Sequence, residues 1–292
     1  MFDSLLPSDH ESCLVRKKYL EDIIRIKPTV GIICGSGLGS LADCIQHAQI
    51  IHYSEIPDFP IATVQGHNGQ FVFGTIGEVG IVLMQGRVHT YEGHHPSEVA
   101  IPIRVMRLLG VRILLVTNAA GGVNPTFNPG DVCVIKDQIS LPNLIGFSPL
   151  MGPNQAKFGC RFQPMLDIYN RHLSNLLKES LLTVLPPAKV HEGVYIMLAG
   201  PCFETAAETR LLQGFGADVV GMSTANEVTV AQHCGMKICG FSLVTNKAVS
   251  TQNGDEQPPS HEEVILAASK SAQLLCLAVE TFVKMIPQEM IN

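Results

Sequence analysis

Residues Gly80–Gly93 read GIVLMQGRVHTYEG. The apolar run Gly80–Leu83 has the composition of a buried strand, so the polar residues behind it arrive at a strand's end. In an extended backbone residues two apart share a face. Arg87, His89 and Tyr91 then form a row of a cation, a titratable donor and a phenol. The planar fork of arginine suits phosphate or carboxylate oxygens, and a neighbouring imidazole can donate to the same anion. The alternative is a solvated edge on which Arg87 pairs with Glu92. Polar groups delivered at the end of a buried strand are the mark of an α/β sheet, whose ligands bind at the carboxyl ends of its strands.

The totals narrow the classes. The chain has 292 residues, 46% of them hydrophobic, with 26 Gly and 18 Pro and a net charge of −6. That composition is globular and loop-rich. No Lys/Arg block is present, which argues against nucleic acid or an anionic membrane surface as partner. The N-terminus lacks the apolar core of a signal peptide, and no run reaches the roughly 18 apolar residues of a bilayer span. Nine cysteines are scattered without a CxxC pair, and Cys34 and Cys133 sit in apolar runs as small hydrophobes do. Neither a metal site nor a disulfide framework is expected, and a reduced, cytoplasmic protein is.

Outward from the opening stretch, helical spacing predicts a helix over Ser12–Ile26, stopped by Pro28. Val30–Cys34 (VGIIC) reads as a buried strand, and GSGLGS (Gly35–Ser40) leads into a helix from Leu41. Strand, Gly-rich turn and helix can cradle a phosphate, with Ser36 adding a hydroxyl; a lone Gly-rich turn is more common without one. Thr63–Gly74 reads as a hairpin turning at Gly66–Gly69, with His67 in the turn, either solvated or functional. Val99–Leu109 is helical and Arg112–Val116 a strand that ends in TNAAGG (Thr117–Gly122), a tight turn or a place where a ligand nears the backbone. Asp131–Ile139 is a strand, and a Pro/Gly-rich excursion runs from Leu141 to about Gln163.

Beyond it, Leu166–Leu182 is expected to be helical and Gly193–Leu198 a strand ending in AGPCFET. Glu204 precedes a helix over Ala206–Phe215, where it could serve only as a first-turn acid. Asp218–Val220 delivers GMSTANEV, in which Thr224 and Glu227 have capping-box spacing and Ser223 precedes a helix N-terminus. Lys237–Val244 is the last strand and ends in Thr245–Asn246–Lys247. Ala248–Pro259 reads as an exposed loop, and Ser260 and Glu263 as a capping box opening a helix with His261 in its first turn. Without repeats, linkers or low-complexity segments, residues 1–292 form one α/β domain.

Taken in order, GIICGSGLG, GRVHTYEG, TNAAGG, AGPCFET, GADVVGMST, GFSLVTNK and HEEV resemble the purine nucleoside phosphorylases of the trimeric, low-molecular-mass type over nearly the whole chain. The resemblance implies a mixed, distorted β-sheet with a barrel-like centre flanked by helices. It implies phosphorolysis of 6-oxopurine nucleosides such as inosine and guanosine to base and ribose 1-phosphate. Phosphate is a co-substrate, and no metal or organic cofactor is used. Carried onto this sequence, phosphate falls to Ser36, Arg87, His89, the backbone of Ala119 and Ser223, with His67 between phosphate and ribose. Tyr91, Met222 and His261 match sugar contacts. Phe203, Glu204, Val220, Thr245 and Asn246 match the base pocket, with Ala120 and Gly121 beneath the purine. The catalytic set is then His67, His89, Glu204 and Asn246. Phe162 matches an aromatic that a neighbouring subunit of a homotrimer lays over the sugar. Cys202 and Asn226 depart from the family's Ser or Thr and Pro. The rivals are a methylthioadenosine phosphorylase, which carries Asp where Asn246 stands, and a non-catalytic nucleoside-binding protein, which would have lost part of this set.

Overall fold

The computed structural model describes residues 8–64, 66–248 and 260–291, with the side chain of His261 excepted. In chain order these form α1 (His10–Ile23), β1 (Val30–Cys34), β2 (Gln46–His52), β3 (Gln70–Ile76), β4 (Val79–Gln85), α2 (Pro96–Leu109) and β5 (Ile113–Gly122). There follow β6 (Val132–Ser140), α3 (Leu141–Leu144), α4 (Arg171–Leu182), β7 (Val190–Met197), α5 (Ala206–Gly214) and β8 (Val219–Gly221). The chain closes with α6 (Ala225–His233), β9 (Lys237–Lys247), α7 (His261–Met285) and α8 (Gln288–Ile291).

The strands make one mixed sheet in the order β2-β3-β4-β1-β5-β8-β7-β6-β9, and β9 also pairs with β5. That last pairing closes β5, β8, β7, β6 and β9 into a ring, the barrel-like centre, from which β1, β4, β3 and β2 extend as a wing. β1 runs parallel to both its neighbours, β4 and β5. Every one of its residues is buried, which is why VGIIC is uniformly apolar rather than alternating. β5 and β9 are parallel too, so the ends of β1, β4, β5 and β9 converge at one rim.

α7 is long and apolar enough to cross a bilayer by length and composition alone. Its capping box forms as expected, and Ala268, Leu275, Val279 and Phe282 are fully buried against the sheet. Lys270, Glu280 and Lys284 interrupt the apolar pattern, and Lys284 pairs with Glu280. It packs here as an amphipathic core helix.

Several expectations are corrected. α1 stops at Ile23, before Pro28, because the Gln49 side chain takes over the Ile23 carbonyl and the Arg25 N–H. The segment after GSGLGS is a short 3-10 helix, Gly39–Cys44, and not an α-helix. Residues 61–64 and 66–69 are in no strand; the hairpin joins β3 to β4 through Gly77, and β3 pairs on its other side with β2. TNAAGG is no turn but the second half of β5, paired throughout with β9. α4 begins at Arg171, since Leu166 is exposed and Asp167 has φ +55°. The loop expected over Ala248–Pro259 lies outside the described residues from position 249 onward.

Candidate active site

At the convergent rim lies an open cleft. Its lining takes Ser36 from the turn after β1 and Arg87, His89 and Tyr91 from the segment after β4. Ala119, Ala120 and Gly121 come from β5, Val220 and Met222 from β8 and just beyond it, and Thr245 and Asn246 from the end of β9. Phe203, Glu204 and Ser223 complete the set brought together as expected. Asn118, Gly221 and Val264 join it. His67 stands directly behind, bonded to Ser36. Phe162 does not reach the cleft of its own chain and is 88% exposed. The expectation for the His261 side chain falls outside the described residues.

Two glycines of the GSG turn let it approach its neighbours. A Cβ on Gly35 would stand 2.5 Å from Cα of Asn118, and Gly37, at φ +72°, would meet Ala268 of α7 at 2.5 Å. The turn is therefore pressed between β5 and α7, with Ser36 facing the cleft.

Arg87 is 1% exposed and does not pair with Glu92. Its Nε and Nη2 donate to the two carboxylate oxygens of Glu227 at 3.0 and 2.8 Å, and its Nη1 donates to the Thr117 carbonyl and Ser223 Oγ, both at 3.0 Å. Of the five guanidinium N–H groups, these bonds leave one for a ligand. Glu227 is thereby taken from the capping box: Thr224 makes no side-chain cap, and its hydroxyl accepts instead from Asn118 Nδ2 at 3.0 Å.

Thr224 itself has φ +71° and ψ −54°, and the Ala225 N–H reaches back to the Ser223 carbonyl at 2.8 Å. This is a γ-turn of the strained, positive-φ kind, unusual for a β-branched residue. Tyr195 holds it from behind, its hydroxyl donating to the Ser223 carbonyl at 2.8 Å and accepting the Ser223 N–H at 3.2 Å.

Hydrogen-bond direction follows. His67 Nδ1 accepts the Arg87 backbone N–H at 2.8 Å, so in the neutral ring Nε2 carries the proton and donates to Ser36 Oγ at 3.0 Å. Ser36 and Ser223 each accept from a basic side chain; Ser223 Oγ also lies 3.3 Å from Thr224 Oγ1, and with the Thr224 hydroxyl donating to it each serine O–H can donate into the cleft. His89 has the opposite polarity. Glu92 accepts from its backbone N–H and its Nδ1 at 2.7 and 2.8 Å, so neutral His89 presents Nε2 as an acceptor. Its pKa is lowered, by burial above all, against the opposing pull of Glu92. A neutral His89 can thus accept from a protonated oxygen and donates through Nε2 only once charged, whereas the sequence alone offered it as a donor. Glu92 is raised by burial, but its bonds from His89 and Thr63 outweigh that and hold it at about 2.

The other polar group of the cleft is Glu204 with Asn246. Thr205 and Glu208 form the capping box of α5, so Glu204 is not needed as the helix's first-turn acid. Burial raises its pKa. Between Ala120 and Gly121 the β5–β9 register shifts, with Thr245 as the extra residue, a bulge of the sort that re-aims side chains beside sites. The Thr245 hydroxyl then donates to Asn246 Oδ1 at 3.0 Å. The Asn246 amide nitrogen then lies toward Gly121, where a Cβ would stand 3.4 Å away, with one N–H donated to the Lys247 carbonyl at 3.3 Å and the other left for a ligand.

The states of these groups carry a pH dependence. His67 is lowered to about 3, by burial first and then by the charges of His89 and Arg87. The unfolded chain binds a proton near pH 6.5 that the folded chain refuses. Stability is therefore full above about pH 6.5 and falls as pH drops toward about 3, by at most about 1.4 kcal/mol per pH unit. In His67→Asn, urea melts between these limits should show a shallower slope; an unchanged slope would mean that His67 is not a buried neutral ring.

Glu227, Tyr195 and Thr117 were not picked out from the sequence as site residues. Glu227 and Arg87 are too distant in the chain for any local spacing rule to pair them. Asn226, at the first turn of α6, is buried, while Cys202 is exposed.

Comparison with known proteins agrees with this geometry. The pattern of the phosphorylase superfamily matches residues 29–284. A purine nucleoside phosphorylase of Mus musculus is 48% identical over 92% of this chain and 93% of its own length. Purine nucleoside phosphorylase 1 of Geobacillus stearothermophilus is 46% identical over 87% of this chain and 89% of its own. The crystal structure of Schistosoma mansoni purine nucleoside phosphorylase in complex with adenosine superposes with a TM-score of 0.92 at 43% identity, covering 97% of this chain and 100% of that one. With its ring-closed mixed sheet and the cleft at its rim, the chain belongs to the phosphorylase superfamily and, within it, to the purine nucleoside phosphorylases.

Proposed function

We propose that the cleft binds a purine nucleoside with inorganic phosphate and cleaves the glycosidic bond, giving the free base and ribose 1-phosphate. The observation that carries this reading is the pairing, in one cleft, of two hydroxyls able to donate to an anion with an acidic and amide pair suited to a purine edge. Ser36, Ser223, the Ala119 backbone and the free N–H of Arg87 hold the oxygens of a hydrogen phosphate dianion. Its remaining P–OH donates to His89 Nε2. As the bond from C1′ to the base nitrogen lengthens, positive charge builds on the ribose and negative charge on the base. A phosphate oxygen forms the new bond to C1′, the electron pair of the broken bond stays with the base, and the phosphate proton, received at His89, balances the proton the base acquires. His67 keeps Ser36 oriented, and Tyr91 and Met222 pack against the sugar. Ala120, Gly121, Val220 and Phe203 enclose the purine. Thr245 aims Asn246 at the N7 side, and Glu204 accepts the N1 proton of a 6-oxopurine.

Hypoxanthine release from inosine, measured with and without phosphate, tests this directly. Release that requires phosphate and yields ribose 1-phosphate is expected; phosphate-independent release or none would overturn the reading. Asn246, and not Asp, favours it over methylthioadenosine phosphorolysis.

The assembly belongs to the same proposal. Ile145, Phe162 and Leu166, in and after the excursion that follows α3, are each more than 80% exposed in the single chain. Apolar side chains presented in one segment suit a contact with a second copy, and a closed three-fold ring would let Phe162 cover a neighbour's sugar site. Light scattering should give three times the 31.6 kDa chain mass. Phe162→Ala should weaken nucleoside binding, and a fully active monomer would refute the shared site. A cytoplasmic setting and a role in purine salvage complete the proposal, supported by cysteines such as Cys34, Cys133 and Cys239 that are buried as free thiols.

A further inference from the structure

Glu227 stands behind the cleft and does not line it. It is 2% exposed, in the first turn of α6, and meets only Arg87 among the hydrogen-bonding partners given above. Both carboxylate oxygens are used, in the parallel fork geometry that fixes a guanidinium plane as well as its position. With that plane fixed, Nη1 can point nowhere but at the Thr117 carbonyl and Ser223 Oγ. Ser223 is held at the same time by Tyr195 and by the strained turn at Thr224. The chain of contacts therefore runs from Glu227 through Arg87 to the Ser223 hydroxyl.

We infer that Glu227 is a positioning residue for the phosphate subsite, acting through Arg87 to fix the direction in which Ser223 donates. The inference rests on the phosphate subsite proposed above. Charge alone argues for the opposite role, since a carboxylate beside a dianion should repel it. The geometry assigns the acid a benefit that exceeds this repulsion. Its effect must then depend on Arg87 being present, which gives the inference its test.

The intact protein is assayed for inosine phosphorolysis with each substrate varied in turn. If the wild-type protein shows no phosphate-dependent cleavage, the functional reading itself fails, independently of Glu227. Given that activity, Glu227→Gln should raise the phosphate KM about tenfold and leave the inosine KM within about twofold, because one Arg87 N–H then meets an amide N–H and the guanidinium turns. In an Arg87→Gln background the same change should lower the phosphate KM, since only the repulsion is removed. This reversal of sign between backgrounds supports the inference; a merely structural Glu227 would impair both alike and affect both substrates. Should Glu227→Gln fail to fold, Glu227→Asp keeps the charge with a shorter reach. It should raise the phosphate KM severalfold, and a phosphate KM equal to wild type in Glu227→Asp would overturn positioning in favour of charge compensation alone.

Discussion

Arg87→Ala is expected to raise the phosphate KM ten- to a hundredfold while the inosine KM changes by less than about threefold, since a bond to a charged group is worth about 1.5–3 kcal/mol. The structure adds a second consequence. Removing the guanidinium strands Glu227, 2% exposed, without its bidentate partner. Breaking a buried ion pair from one side costs about 3–5 kcal/mol. Urea melts should register that loss, so the kinetics must be taken well below the variant's melting temperature. Arg87→Lys separates the terms: it keeps a positive charge for Glu227 but not the fork that reaches Thr117 and Ser223 together. Lysine should therefore recover much of the stability and little of the phosphate KM. An unchanged phosphate KM in Arg87→Ala would remove Arg87 from the phosphate subsite.

What was legible in the sequence was what local patterning controls. The uniformly apolar VGIIC is β1 to the residue, and the apolar positions of α7 with the Ser260–Glu263 box are as expected. β2 escaped because it is an edge strand whose mostly exposed residues, QHAQIIH, show no alternation to read. The small residues of TNAAGG allow a tight turn as well as a close ligand approach; pairing with β9 along its whole length keeps it extended, which rules out the turn alone. The cleft residues were found through motif order. Their hydrogen-bond directions were not, because each depends on a partner remote in sequence.

Glu227 illustrates the limit best. Thr224 and Glu227 have the spacing of a capping box, and in isolation the box is a sound expectation. A buried cation outbid the backbone for the carboxylate, and Thr224 was left to a strained turn held by Asn118 and Tyr195. Glu92 shows the converse. Local spacing offered it to Arg87, yet it binds His89 and the Thr63 loop, and thereby sets which imidazole nitrogen faces the cleft.

Base selectivity should respond most sharply to Glu204 and Asn246. A 6-oxopurine offers an N1–H, which the Glu204 carboxylate accepts, and an N7 lone pair, to which the Asn246 amide donates once Thr245 has fixed its oxygen. Adenine offers a lone pair at N1, so ionised Glu204 would face it unpaired, a mismatch of about 1–3 kcal/mol or more for a charged group. Inosine should accordingly be cleaved at least about tens of times more efficiently than adenosine. Because burial raises the pKa of Glu204, the gap has a pH sign. As pH falls through that raised pKa, the protonated carboxyl becomes a donor that suits adenine N1, and the ratio of the two kcat/KM values should shrink. Glu204→Gln, which can both accept and donate, should give a small ratio at every pH. Asn246→Asp should also narrow it, since a new carboxylate can accept from a 6-amino group. The Thr205–Glu208 box remains intact in Glu204→Gln, so stability should barely move, which separates a base contact from a helix cap. A ratio that stays flat across wild type, both variants and pH would mean that neither side chain touches the base.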